Sequence, residues 1–182
     1  HKELAAYAQR EDFVGAAGVI MDVSDGSIIA MTSVPEFDPR IMSDGTDRAR
    51  ISSYNTDEKK PFLNRVSGGS FAPGSIVKPF VAAGILDQNL VRPSYVLENN
   101  SVLEVENQYG GGSTFFRDSR YIGPVNLYDA IAKSSNVFFM TFGGGFGSHT
   151  GLGVMGMYEY YSRFGLGQRT GIAEFTEQAG VV

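Results

Sequence analysis

Ser75 and Lys78 stand three residues apart in FAPGSIVKPF, where the chain passes from Gly- and Pro-rich to apolar at helical spacing. A serine hydroxyl is a weak nucleophile at its own pKa and needs a base within hydrogen-bond reach, a role that an amine fills once its surroundings lower its pKa. On a helix a three-residue spacing points hydroxyl and amine from one face. The helix start adds free backbone N–H groups and a positive potential for an oxyanion. Pro79 fits a first turn, where its missing N–H has no intrahelical partner to lose. The chemistry these features point to is serine acyl transfer, with Ser75 as nucleophile and Lys78 as base. S-x-x-K alone is a common surface pattern. Pro73-Gly74 before it, Pro79-Phe80 after it, and apolar surroundings for Ile76 and Val77 that would bury the lysine stem favour the catalytic alternative.

A second polar group, Ser134-Ser135-Asn136, lies at the junction of two apolar helical stretches. Ser134 there is placed to relay a proton to a leaving group, and Asn136 to hold a substrate amide through its carbonyl and NH₂. Ser and Asn also cap helices, and the same S-x-N spacing occurs at Ser53-Tyr54-Asn55 on a polar stretch, so the junction is what favours the later copy. Arg117-Asp118 is a further candidate pair for the cleft. His1 and His149 stand apart from any nucleophile or carboxylate cluster and read as solvent or loop residues. Phe138-Phe139 and Tyr160-Tyr161 read as core, and Glu98, Glu104 and Glu106 as a solvated strand face.

The elements that must position these residues follow from periodicity. Residues 1–10 have helix-forming composition. Ala16 to Val23 and Ser27 to Ser33 flank Ser24-Asp25-Gly26 as a β-hairpin, with Asp-Gly at the positive φ values of a tight turn. Residues 34–65 lose periodicity and read as a long surface excursion with one short helix. A buried helix starts near Ser75. Short strands are expected at 101–106 and 113–116 around Tyr109-Gly110-Gly111-Gly112. After Pro124, VNLYDAIAKSSN reads as a helix with Leu127, Ala130 and Ile131 inward, and NVFFMTF as another that glycines 143–147 interrupt. Residues 151–163 form a last helix closed at Phe164-Gly165.

The chain has 182 residues, 42% apolar and 12% aromatic, which is ordinary for one globular domain. Its 15 basic and 20 acidic residues give a net charge of −5 without a basic stripe, which argues against a nucleic-acid partner. With no cysteine, disulfides, thiolate metal sites and a cysteine nucleophile are excluded. No cofactor is implied. The start at His1 and the lack of a leader or an apolar span suggest a piece of a longer protein.

Taken in order, AGVIMDVSDGSIIAMTSVPEFDPR, Asn64-Arg65 leading into FAPGSIVKPF, then AIAKSSNVFF and FGLGQRTGI resemble the penicillin-binding transpeptidases. The segments look most like class B enzymes, and the loop before Asn64 like the elongation-type branch, penicillin-binding protein 2. The resemblance implies an α/β (α+β) fold of the transpeptidase and serine β-lactamase type, an antiparallel sheet flanked by helices. Residues 1–182 would be the N-terminal part of one such domain, stopping before a Lys-Thr-Gly strand. It implies Ser75 as acylated nucleophile, Lys78 as general base, Ser134 as proton relay and Asn136 as substrate-amide ligand. One oxyanion donor would be the Ser75 N–H and the other would come from the Lys-Thr-Gly strand. Arg169-Thr170-Gly171 is not that motif, since it follows the Gly-rich FGLGQ rather than a strand. Implied partners are peptidoglycan stem peptides ending in D-Ala-D-Ala, β-lactams and cell-wall elongation proteins. The implied place is the bacterial envelope, on the outer face of the cytoplasmic membrane, with the anchor outside this chain. Two alternatives stay open: a β-lactamase, which differs by deacylating with water, and a non-catalytic penicillin-recognising sensor or scaffold module. Because the hairpin would lack sheet partners, the 182 residues are not expected to fold or turn over substrate alone.

Overall fold

The apolar runs on either side of Ser24-Asp25-Gly26 pair as antiparallel strands β1 (Ala16–Met21) and β2 (Ile28–Val34), in a register from Ala16 opposite Val34 to Ile20 opposite Ala30. This is seen in a computed structural model that describes residues 1–107, 109–172 and 175–182. The connection differs from the Asp-Gly turn expected of it. Only Gly26 takes a positive φ, at 80°. The Asp22 and Asp25 carboxylates instead accept the N–H groups of Ser24 and Ser27, each at 2.8 Å, and these side-chain turns replace the second left-handed residue.

The described chain forms two units, one of His1–Phe71 with Arg169–Ala179, the other of Ala72–Gln168 with Gly180–Val182. In the first, α1 (Lys2–Arg10) packs on the hairpin. The excursion carries two helices rather than one, α2 (Pro39–Asp44) and α3 (Arg48–Thr56). Neither has a buried residue, so no apolar period marks them; each starts on an aspartate, Asp38 or Asp47, that accepts an N–H of its first turn at 2.9 Å. Ser53 and Asn55 on α3 bond back to carbonyls of the same helix, as polar helix residues do. Arg65 is buried, and its guanidinium donates to the carbonyls of Lys59, Lys60 and Leu63, which pins the end of the excursion. Thr170 and Gly171 lie outside any strand and donate to the Glu177 carboxylate.

The second unit holds the main core. A 3₁₀ turn, Gly74–Val77, runs straight into α4 (Lys78–Asp87). Strands β3 (Val102–Glu106) and β4 (Ser113–Arg117) form an antiparallel ladder, with Glu104 and Glu106 exposed. Then come α5 (Leu127–Ala132), α6 (Asn136–Met140), a π turn at Thr141–Gly145, and α7 (Gly153–Arg163). The fold is thus mixed α and β, with its strands in two separate two-stranded antiparallel sheets. Ile85, Val125, Ala130, Phe138 and Phe142 are essentially inaccessible and make one cluster, in which the Phe138 and Phe142 rings lie 4.8 Å apart. Tyr160 is also buried, its hydroxyl donating to Asp87 at 2.5 Å.

Two expectations need correcting here. Ile131 points outward: Asn126 caps the Asp129 N–H at 2.9 Å, α5 begins at Leu127, and its buried stripe is Leu127 and Ala130. The glycine tract ends the helical stretch later than its start suggests: Gly143 and Gly144 stay within one wider turn, and the break falls at Gly145, φ 82°, and Gly147, φ 64°.

At Gly84, α4 meets α7 with no room for a side chain. A Cβ there would come 2.6 Å from the Tyr160 ring and 2.8 Å from Leu152. Gly84→Ala would gain about 0.8–1.0 kcal/mol of helix propensity, against an overpacking cost of about 1–3 kcal/mol where a buried ring must shift. The second effect wins. Equilibrium urea unfolding of Gly84→Ala should show a net destabilisation of up to about 2 kcal/mol; a rise in midpoint would mean that α7 moves freely.

Candidate active site

Why Lys78 is buried follows from where its helix starts. Residues three apart in a 3₁₀ turn eclipse one another, so the Gly74–Val77 turn carries Ser75 one full turn before Lys78 along one edge. Lys78 begins α4, on the face that continues through Val81 and Ile85 into the core. Its side chain is 8% exposed. Ile76, against expectation, is 72% exposed, because the tighter turn rotates it away from the face that Val81 and Ile85 bury. Ser75 is exposed, in a first turn whose backbone N–H groups have no intrahelical acceptor.

A buried ammonium needs three acceptors. All three come from the junction between α5 and α6: Nζ donates to the Ser134 carbonyl at 2.6 Å, to Ser134 Oγ at 3.0 Å and to Asn136 Oδ1 at 2.8 Å. Lys78, Ser134 and Asn136 are therefore together. Ser75, Lys78 and Asn136, though not Ser134, line one cavity of about 650 Å³, with Phe116, Phe139 and Tyr161 among its apolar walls. Among the described residues no hydrogen bond links Ser75 Oγ to Nζ. Burial holds the Lys78 pKa below its ordinary value, and the Asp118 charge partly offsets that shift.

The junction is shaped for this grip. Ser134 closes α5 in the left-handed region, φ 56°, turning both its carbonyl and its hydroxyl toward Lys78. Ser135, fully buried, is the N-cap of α6 and accepts the Phe138 N–H at 3.1 Å. The orientation of the Asn136 amide is fixed from both ends, since Nδ2 donates to the Arg117 carbonyl at 2.8 Å while Oδ1 receives the amine.

Beyond the residues singled out by motif, Asp118, Asn99 and Ser135 belong to the same network. One Asp118 oxygen accepts the N–H groups of Asn136 at 2.5 Å and Val137 at 3.1 Å; the carboxylate also accepts the Ser135 hydroxyl at 3.3 Å and, through Oδ2, Asn99 Nδ2 at 3.0 Å. Arg117-Asp118 was a candidate for lining the cleft, but neither residue lines the cavity, and nothing in the residue order says that Asp118 binds the α6 start. Asn99 carries no motif. His149 bonds Tyr95 at 3.1 Å and packs on Phe142, and His1 bonds Thr32 at 2.8 Å, both in the loop-type roles expected of them.

The left-handed Ser134 gives a direct test of the junction. A Cβ in this region costs roughly 1–2 kcal/mol. Ser134→Gly should melt above Ser134→Ala, by about 1 kcal/mol in thermal unfolding, since both lose the Oγ acceptor and differ only in the Cβ. Equal stability of the two would mean that Ser134 does not hold this conformation in solution.

A sequence profile described as "Penicillin binding protein transpeptidase domain" matches residues 16–182. Peptidoglycan D,D-transpeptidase MrdA of Escherichia coli is 27% identical over 167 residues, 91% of this chain and 25% of that protein, so the chain spans about a quarter of the relative's length. Among solved structures, Pseudomonas aeruginosa PBP2 in complex with WCK 5153 superposes with a TM-score of 0.76 at 28% identity, covering 100% of this chain and 39% of that one. Helicobacter pylori PBP2 in its complex with MreC gives a TM-score of 0.73 at 26% identity, covering 96% and 32%. With the profile matching from β1 to Val182, the chain belongs to the penicillin-binding protein transpeptidase domain family.

Proposed function

We propose that the full-length protein is a serine D,D-transpeptidase that takes the acyl group of a stem peptide ending in D-Ala-D-Ala onto Ser75. The observation that carries this reading is the buried Lys78 amine, bonded to Ser134 Oγ and Asn136 Oδ1 in a cavity that Ser75 also lines. The Ser134 carbonyl and Asn136 Oδ1 can only accept, whereas Ser134 Oγ can donate or accept. A neutral amine keeps two donations, to the Ser134 carbonyl and Asn136 Oδ1, and its lone pair takes the third position, facing Ser134 Oγ, whose hydroxyl rotates to donate to it. Burial favours that neutral form.

In the proposed reaction Ser75 Oγ attacks the carbonyl of the penultimate D-Ala while its proton passes to Lys78. The peptide C–N bond then breaks, and Ser134 hands the proton to the departing D-Ala amine. An amine of a neighbouring strand repeats the sequence in reverse and takes the acyl group. Asn136 would hold the substrate amide, and the Ser75 N–H would supply one oxyanion donor. A β-lactam would acylate Ser75 in the same way.

The names of the relatives extend the proposal. MrdA is named a peptidoglycan D,D-transpeptidase, and a PBP2 has been solved with MreC. They support peptidoglycan stem peptides as substrate, a cell-wall elongation protein as partner, and the outer face of the cytoplasmic membrane as the place of work. Among the described residues no helix is long and apolar enough to cross a membrane.

Fluorescent penicillin should label the full-length protein, and Ser75→Ala should remove the label; label that persists in Ser75→Ala would refute the nucleophile. Lys78→Ala should slow acylation by roughly 10²–10⁴-fold. The acylation rate should rise with pH as Lys78 loses its proton, and because burial lowers its pKa, that rise should be complete below the ordinary lysine range. A rise only in the ordinary lysine range would exclude Lys78 as the base.

A further inference from the structure

We propose that Asp118 is the positioning residue of this active site, a carboxylate at the end of β4 that holds the α6 start so that Ser134 and Asn136 meet Lys78. The proposal rests on the acyl-transfer reading above and names the group that keeps its geometry.

Four donors converge on Asp118 from two directions. Asn136 N at 2.5 Å and Val137 N at 3.1 Å bind Oδ1, the Ser135 hydroxyl lies 3.3 Å from both oxygens, and Asn99 Nδ2 binds Oδ2 at 3.0 Å. The first N–H groups of α6, as of any helix, have no intrahelical acceptor. Its leading N–H groups are satisfied from outside, by Ser135 and by this carboxylate. The preceding residue, Arg117, accepts the Asn136 side-chain amide through its carbonyl at 2.8 Å. Two consecutive residues of β4 and its end thus fix both backbone and side chain of Asn136. Asp118 is itself placed by its own N–H, which donates to the Ser101 carbonyl at 3.0 Å, and Ser101 N–H is bound by Asn99 Oδ1 at 2.5 Å. The chain of contacts runs from Ser101 through Asn99 and Asp118 to Asn136 and ends on the amine.

Asp118 also bears on Lys78 by charge, raising the pKa that burial lowers. Of the other titratable side chains on the surrounding elements, Tyr161 on α7 lines the cavity, whereas Asp87 on α4, Arg117 on β4, Tyr128, Asp129 and Lys133 on or after α5, and Tyr158, Glu159, Tyr160 and Arg163 on α7 do not. Asp118 is the one among them whose charge moves Lys78. Position and charge therefore give two readouts of opposite sign. Losing the grip slows acylation, whereas losing the charge lets Lys78 give up its proton at lower pH.

The test is the rate of acylation by fluorescent penicillin across pH, with thermal midpoints, for the full-length protein and Asp118→Asn. Asparagine keeps the shape and one carbonyl oxygen for the two N–H groups, but loses the charge and an acceptor. The expected result is a folded protein whose acylation slows about ten- to a hundred-fold, with the acid limb of its pH profile displaced to lower pH. A defect that merely loosens the fold would lower the rate and leave the limb in place, and that outcome overturns the proposal. So does an unsubstituted rate with an unmoved limb. If Asp118→Asn does not fold, Asn99→Ala removes one of the four donors to the carboxylate and keeps the charge. It should slow acylation several-fold with an unmoved limb, and an unchanged rate there overturns the proposal. Label that persists in Ser75→Ala would instead sink the acyl-transfer reading itself, so the two failures are distinguishable.

Discussion

The buried amine of Lys78 is the constraint around which the second unit is arranged. Removing an ammonium from water costs several kcal/mol unless every N–H finds an acceptor. The amine cannot find them on its own helix, where carbonyls ahead of it are committed to the backbone ladder. It finds all three at Ser134 and Asn136, more than fifty residues on. That demand brings the α4 start against the α5–α6 junction. It also offsets the left-handed backbone of Ser134, whose cost of roughly 1–2 kcal/mol is smaller than that of leaving the amine unpaired.

Core packing supplies the rigidity that this polar contact needs. The residues after Asn136 are Val137, Phe138 and Phe139, all buried, so the helix that offers Asn136 to the amine is anchored immediately behind it. Phe138 and Phe142 pack one turn apart with their rings tilted at 54°, and the π turn that holds Phe142 keeps the chain in contact with α7. On the other side, Val81 and Ile85 tie α4 into the same cluster, and Gly84 lets α7 approach closely enough for Tyr160 to be buried. The polar site is thus bounded by two short helical starts, each fixed by aromatic or aliphatic side chains one turn deeper. A hydrogen-bond network at such a boundary keeps its geometry because neither end can slide without opening the core.

The network also shows how a carboxylate can serve a site without touching substrate. Asp118 lies one step behind Asn136, and its negative charge works against the burial that makes Lys78 a base. Position and proton affinity are set by one residue, and they pull in opposite directions. Asn99 and Ser135 complete its coordination, so the support is itself fully bonded, as a partly desolvated carboxylate must be.

Much of this was legible in the residues. Apolar, β-branched runs around Ser24-Asp25-Gly26 gave the hairpin, none of whose strand residues is buried, while apolar spacing gave α4 and the stretch through Phe138-Phe139, because that spacing is the imprint of a core on one face of an element. The short polar helices α2 and α3 left no such imprint, having no buried face, and their only signals were the capping aspartates. The motifs marked Ser75, Lys78, Ser134 and Asn136 as residue types in order. Tertiary structure alone decided that Nζ meets Ser134 and Asn136, that the 3₁₀ turn leaves Ile76 in solvent, and that Asp118 and the unmarked Asn99 stand behind the junction. The physical reason is that local periodicity records which face is buried. Which distant polar groups satisfy a buried charge depends on how separate elements pack, and no spacing along the chain encodes that directly.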